Sequence, residues 1–221
     1  MVAVPVPPVP KAPTYADIEA LPPHVVGEIL NGELVVSPRP RPRHARVTSY
    51  LGALLVPPYA LGRGGPGGWI ILDEPELSLP NGGLPAPAGL STADRRFDPV
   101  VPDLAGWRLT TMPDLPTTAQ FHIRPDWICE VLSPSTARRD RMLKLPFYAR
   151  AGVGHCWLID PDQELVEVFE NLGSQWKLVG VYGGRETVSL APFDEAPLEL
   201  GLLWGPAETE TEPPTTEPDE R

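Results

Sequence analysis

The stretch VVGEILNGELVVS alternates apolar and polar residues on either side of Asn31-Gly32, a strong two-residue turn signal, and so predicts a hairpin. In that register Leu30 faces Glu33 and Glu28 faces Val35. Period 2 then places Ile29, Leu34 and Val36 on one face and Glu28 with Glu33 on the other. Upstream, Thr14 to Leu21 predicts a short helix with Thr14 as N-cap and Asp17 three residues on, closed by Pro22-Pro23. Downstream, Val47, Tyr50, Leu51, Leu54 and Leu55 recur at the spacing of one helical stripe. That helix runs from Pro42 to about Val56, carries His44 in its first turn, and stops at Pro57-Pro58.

WIILDEPELSL predicts a strand broken at Pro75, followed by a long irregular Gly/Pro/Ala-rich loop over residues 81–99. Strand signals return at Val100 to Ala105 and at Trp127 to Leu132. Ser133-Pro134-Ser135 then starts a helix that runs to Ala151, is kinked by Pro146 and stops at Gly152. HCWLID, LVEVFE, WKLVGVY and TVSL predict short closing strands. The order of helices and strands implies a mixed α/β (α+β) fold, with helices packed on the faces of one sheet.

Composition narrows this picture at the ends. Pro and Gly number 31 and 20 of 221 residues, a level at which disorder competes with folding. The six Trp, however, all lie between Trp69 and Trp204, so one core is expected within residues 14–205. Residues 1–13 are Val- and Pro-rich, and residues 206–221 carry six acids against Arg221. Both ends are expected to be disordered. The opening run has no basic region and no stretch is long enough to span a membrane, so a cytoplasmic protein is expected. Cys129 and Cys156 each sit in an apolar run beside Trp, which favours free buried thiols over a disulfide or a zinc site.

The net charge of −11 argues against a nonspecific nucleic-acid coat. Yet 9 of the 18 basic residues fall in two short segments, Arg39, Arg41, Arg43 and Arg46, and then Arg138, Arg139, Arg141, Lys144 and Arg150. A local positive surface able to meet DNA is therefore expected on an acidic protein.

Three ionisable residues stand where a purely structural sheet would favour apolar ones. Asp103 in VVPDLAGW lies near a strand entrance. Glu130 lies inside the most hydrophobic strand, where a lone carboxylate is expensive to desolvate unless paired or bound to a cation. Lys144 follows on the next helix, four residues after Asp140. Two carboxylates from neighbouring strands with a lysine suit a Mg²⁺ site, with Mn²⁺ as a substitute and the Val131 carbonyl as a further ligand. The ordinary alternatives are a strand-end carboxylate for Asp103, a buried ion pair for Glu130 and an i, i+4 pair with Asp140 for Lys144.

GEILNGELVVSPRPRPRH, VVPDLAGW and PDWICEVLSPSTARRDRMLKLPFYARAGVGHCWLIDP resemble the Uma family of restriction-endonuclease-like proteins, within the PD-(D/E)XK nuclease superfamily. The resemblance implies a central mixed sheet flanked by helices and a Mg²⁺-dependent phosphodiesterase site. Asp103 takes the place of the motif's first Asp and Glu130 that of its acidic residue. Leu132 stands where the superfamily has lysine, and the resemblance passes that role to Lys144. Glu28, Glu33 and His44 are family-like accessory residues, although a solvated hairpin face and a helix-end histidine are their ordinary readings. The expected function is DNA hydrolysis, with Asp103, Glu130 and Lys144 catalytic and a homodimer as an open assembly. The alternative is a nuclease fold kept as a nucleic-acid or protein binding module. Glycoside hydrolysis would leave the lysine and the arginines without a role. If Lys144 serves the site, its nitrogen must lie within about 6 Å of a carboxylate oxygen of Asp103 or Glu130.

Overall fold

The computed structural model of the protein describes residues 12–80 and 97–206. The expectations for residues 1–11, 207–221 and 81–96 fall outside the described residues, while Ala12, within the end expected to be disordered, is buried. A short helix α1 (Tyr15–Glu19) leads into the hairpin β1 (Val25–Leu30) and β2 (Glu33–Pro38), and the Asp17 carboxylate accepts the Thr14 backbone N–H at 2.6 Å. The hairpin register is Glu28 to Val35 and Leu30 to Glu33. Asn31 and Gly32 both have positive φ, 54° and 80°, the tight turn that this pair of residues favours.

A six-stranded mixed sheet forms the centre. It is built from β3 (Trp69–Asp73), β6 (Leu104–Arg108), β7 (Trp127–Val131), β8 (His155–Asp160), β9 (Leu165–Asn171) and β10 (Trp176–Gly183). Their order is β10-β9-β8-β7-β6-β3, and only β7 and β8 run parallel. Two-stranded ribbons β4 (Leu77–Pro80) with β5 (Phe97–Val100), and β11 (Thr187–Leu190) with β12 (Phe193–Glu199), flank it.

Core residues cover both faces, so the central strand β7 is buried along its whole length. Trp127, Cys129 and Val131 face helix α2 (Pro42–Leu55) and β12, in a cluster with Val47, Leu51, Leu55, Trp157 and Phe193. Ile128 and Leu132 face the other way, toward Leu30, Phe147, Tyr148 and Leu158. By alternation Glu130 belongs to that second side. Both cysteines are free and buried. No helix among the described residues is long and apolar enough to cross a membrane.

Several expectations need correction. Helix α2 does not stop at Pro57-Pro58 but widens into a π-helical turn (Val56–Ala60) closed by the Leu61 N–H on the Val56 carbonyl at 3.0 Å. Its Tyr50 is 44% exposed rather than on the buried stripe. Val100 to Ala105 is not one strand: β5 ends at Val100 and β6 begins at Leu104, so Asp103 sits in the link between them. The last residues of the expected 81–99 loop belong to β5. The helix after Ser133 is divided into α3 (Ala137–Arg139), a π-helical turn (Asp140–Lys144) and α4 (Leu145–Ala151). Pro146 has no N–H for a regular ladder, and the wide turn before it relieves the ring from the preceding carbonyls. Gly152 ends α4 in the left-handed region, at φ 82°.

Candidate active site

Asp103 precedes β6, and the antiparallel pairing of Leu104 with Cys129 brings it beside Glu130. The Val131 N–H donates to Asp103 Oδ2 at 2.6 Å, which fixes the carboxylate across the two strand ends. On its other oxygen, Oδ1, Asp103 meets His44 Nε2 at 3.1 Å. His44 comes from the first turn of α2, and its Nδ1 is buried without a hydrogen-bond partner. Burial opposes protonation of His44, but the hydrogen bond and charge of Asp103 outweigh it and raise its pKa.

Glu130 is 3% exposed and Lys144 2% exposed. The chain folds back after β7, and the π-helical turn carries Lys144 inward to Glu130 Oε1 at 2.7 Å. Its ammonium also meets Glu28 Oε1 at 3.0 Å and donates to the Val101 carbonyl at 3.1 Å. All three N–H donors of Lys144 therefore have an acceptor. Burial works against the Lys144 charge, but Glu130, Glu28, Asp140 and Asp103 overcome it and raise its pKa. Desolvation pushes Glu130 well upward, opposed by Lys144 and reinforced by the neighbouring carboxylates. Asp140, also buried, is shifted upward by desolvation and partly held down by Lys144. No i, i+4 ion pair joins it to Lys144; Asp140 Oδ1 instead meets Arg139 Nε at 3.4 Å.

The hairpin contributes Glu28. Its side chain is 2% exposed, and its Oε1 also accepts the Val101 N–H at 2.9 Å. The face of the hairpin expected to be solvated thus packs inward through Glu28 and Leu30, and Ile29 on the opposite face is buried as well. Glu33, at the turn on the same face, is exposed and lies outside the cleft, and Val36 is exposed on the opposite face. Tyr148 on α4 was not singled out from the sequence. It is fully buried and donates its hydroxyl to Glu130 Oε1 at 2.5 Å. Its helical spacing from Lys144, i and i+4, is the signal that could have found it.

Glu28, His44, Asp103, Glu130 and Lys144 line a cleft of about 390 Å³ whose walls carry five carboxylates, Glu28, Glu74, Asp103, Glu130 and Asp140. Facing them are Arg39, Arg41, Arg139, Lys144 and His44. Arg139 donates to Ser37 Oγ, and Arg39 meets Glu74 at 3.6 Å. The expected single arginine surface is divided, because the other members sit elsewhere. Arg43 pairs with Asp162 at 3.4 Å, Arg46 lies 4.6 Å over the Tyr50 ring, Arg141 pairs with Glu167, and Arg138 is exposed outside the cleft lining.

Hard carboxylate oxygens on adjacent strands fit a divalent cation of the Mg²⁺ type. Among the described residues no three of His, Cys, Asp and Glu are placed to cage an ion.

No curated protein gives a significant match to the sequence. Among solved structures, the fold resembles the crystal structure of a "putative nuclease belonging to DUF820" from Anabaena variabilis. The TM-score is 0.65 at 21% identity, covering 86% of this chain and 97% of that one. The two share a fold: the central mixed sheet with helices on its faces. The sequence profile of the Uma2 family, described as "Putative restriction endonuclease", matches residues 13–201, and the chain belongs to that family.

Proposed function

We propose that this protein is a Mg²⁺-dependent endonuclease that hydrolyses DNA phosphodiester bonds, with Asp103 and Glu130 holding the metal and Lys144 as electrostatic helper. One observation carries the reading. Elements remote in sequence, the hairpin, the β6 and β7 ends and the π-helical turn, deliver Glu28, Asp103, Glu130 and Lys144 to one cleft, where the buried ammonium lies 2.7 Å from Glu130. An isolated carboxylate at that depth would be protonated; the lysine charge favours the ionised form that a metal needs.

When bound there, Mg²⁺ supplies a water of lowered pKa and neutralises charge on a phosphate oxygen. The protein supplies the rest. The Val131 N–H and His44 orient Asp103, while Lys144 offsets the repulsion among Glu28, Glu130 and Asp140. Arg39, Arg41 and Arg139 stand on the cleft wall, where a phosphodiester backbone would meet positive charge. Membership of a family described as "Putative restriction endonuclease" supports DNA as the substrate.

A second reading is favoured by the same lysine. Its three donors are all engaged by Glu28, Glu130 and Val101, which suits a structural lock in a fold retained for binding. Cleavage of supercoiled and single-stranded DNA with Mg²⁺, with Mn²⁺ and with EDTA separates the two. Nicking that requires the metal and is lost in Asp103→Asn supports the enzyme. DNA binding without cleavage in any metal supports the module.

A further inference from the structure

We propose that Tyr148 is a positioning residue of the cleft: with Lys144 it turns one oxygen of Glu130 inward and leaves the other to a divalent cation. This rests on the metal site argued above and adds to it a residue outside the carboxylate pair.

Tyr148 lies on α4, is bonded to Glu130 and does not itself line the cleft. Its hydroxyl and the Lys144 ammonium converge on a single atom, Glu130 Oε1, at 2.5 and 2.7 Å. Glu130 Oε2 has no hydrogen bond or ion pair among the described residues, although Glu130 itself lines the cleft. The terminal torsion of a glutamate is broad and roughly two-fold, so an unrestrained carboxylate exchanges its oxygens. Two donors fixed on one oxygen remove that freedom and decide which oxygen is presented.

The packing alone does not call for a hydroxyl at this position. Phe147, the adjacent residue, is equally buried in the same core without one. A phenol placed in apolar surroundings is costly unless it is hydrogen-bonded, and here the bond it makes is to the carboxylate of the cleft. Glu28 is held in a parallel way: its Oε1 takes Lys144 and the Val101 N–H, while Oε2 lies 4.0 Å from Arg139 on the cleft wall. Tyr148 thus does for Glu130 what a backbone N–H does for Glu28.

The test is Mn²⁺ binding by calorimetry, without DNA, to the unsubstituted protein and to Tyr148→Phe. We expect the variant to fold, to bind Mn²⁺ about 10-fold more weakly, and to bind DNA in EDTA as before. Cleavage by the variant should recover as Mn²⁺ is raised, which loss of a reacting group would not allow. Equal Mn²⁺ affinity in the two proteins overturns the positioning role. Absence of Mn²⁺ binding to the unsubstituted protein overturns the metal site itself and the positioning role with it. A second measurement needs no variant: with the five tyrosines labelled at the ζ carbon, saturating Mg²⁺ should shift one buried resonance in step with occupancy. Mg²⁺ binding that moves no tyrosine signal would also overturn the proposal.

Discussion

Lys144 and Glu130 form a buried ion pair, Nζ to Oε1 at 2.7 Å, between a π-helical turn and the central strand of the sheet. Removing one partner of such a pair strands the other charge, and here two carboxylates, Glu28 and Glu130, would be stranded together. Lys144→Met is expected to lower stability by about 3–5 kcal/mol. It should also abolish cleavage while metal binding persists at lower affinity, because the ligands remain but Glu130 loses the charge that favours its ionised form. Urea unfolding with and without Mg²⁺ measures this, and an unchanged stability would mean that the pair is not formed in solution.

The metal prediction is independent of that lysine. Asp103 and Glu130 lie on adjacent strand ends with further carboxylates close by, so a divalent cation should relieve their repulsion. At a concentration 100 times the dissociation constant it would add about 2.7 kcal/mol of stability. Asp103→Asn combined with Glu130→Gln should remove both the heat of binding and the rise in midpoint, with the fold retained. Millimolar Mg²⁺ and Mn²⁺ producing neither effect on the unsubstituted protein would remove the metal from the mechanism.

The division of the arginines predicts two classes of variant. Arg39, Arg41 and Arg139 line the cleft, whereas Arg43 and Arg141 are paired with Asp162 and Glu167 away from it. Each lost phosphate contact should lower the magnitude of the salt dependence of DNA affinity by about 0.9 in log–log slope. We expect that change for Arg39→Ala, Arg41→Ala and Arg139→Ala, and a smaller one for Arg43→Ala and Arg141→Ala. Deleting residues 207–221 removes six acids and should tighten binding, most clearly at low salt. Fluorescence anisotropy at several salt concentrations would show it; equal slopes for all five variants would argue against the cleft as the DNA face.

What the sequence made legible follows periodicity and cost. The hairpin register was readable from Asn31-Gly32, and Glu130 stood out because charge in an apolar strand requires compensation. Lys144 stood out as a lysine one helix after Glu130, but its role in place of the motif's lysine came only through the family resemblance, since its approach to Glu130 depends on a helix folding back over the strand. Period 2 correctly set Glu28 apart from Ile29 but could not say that the Glu28 face is also covered, which follows from packing of the hairpin against β5 through Leu30 and from the bonds of Val101 and Asp98. The π-helical turns at Pro57 and before Pro146 break the 3.6-residue pattern that predicted uninterrupted helices. Strand β12, FDEAPLE, was missed because its acids and Pro197 leave no period-2 alternation to read: its two buried residues, Phe193 and Leu198, are five apart.

Asp98 provides a test of the hairpin's anchorage by pH. It sits on β5, 6% exposed, and Asp98 Oδ2 accepts the Asn31 N–H at 3.3 Å, while Arg150 donates to Asn31 Oδ1 at 3.3 Å. Desolvation pushes its pKa from 3.8 up to about 6, with the Asn31 N–H and Arg150 opposing. A raised carboxyl pKa means that the folded state binds the proton more tightly than the unfolded one. The resulting penalty is present in full above pH 6, shrinks as pH falls, and is gone once pH is below the unfolded value of 3.8. Asp98→Asn keeps the acceptor for Asn31 and cannot ionise. It should therefore exceed the unsubstituted protein in stability at pH 8, by on the order of 1 kcal/mol after the lost attraction to Arg150 is counted. That advantage should fade between pH 6 and pH 4, whatever Glu130 and Asp140 contribute, because their titration is common to both proteins. Urea unfolding at pH 8 and pH 4 decides it: an Asp98→Asn protein less stable at pH 8, or a difference that does not vary with pH, would show that Asp98 is ionised at no cost and that the hairpin is held by its charge.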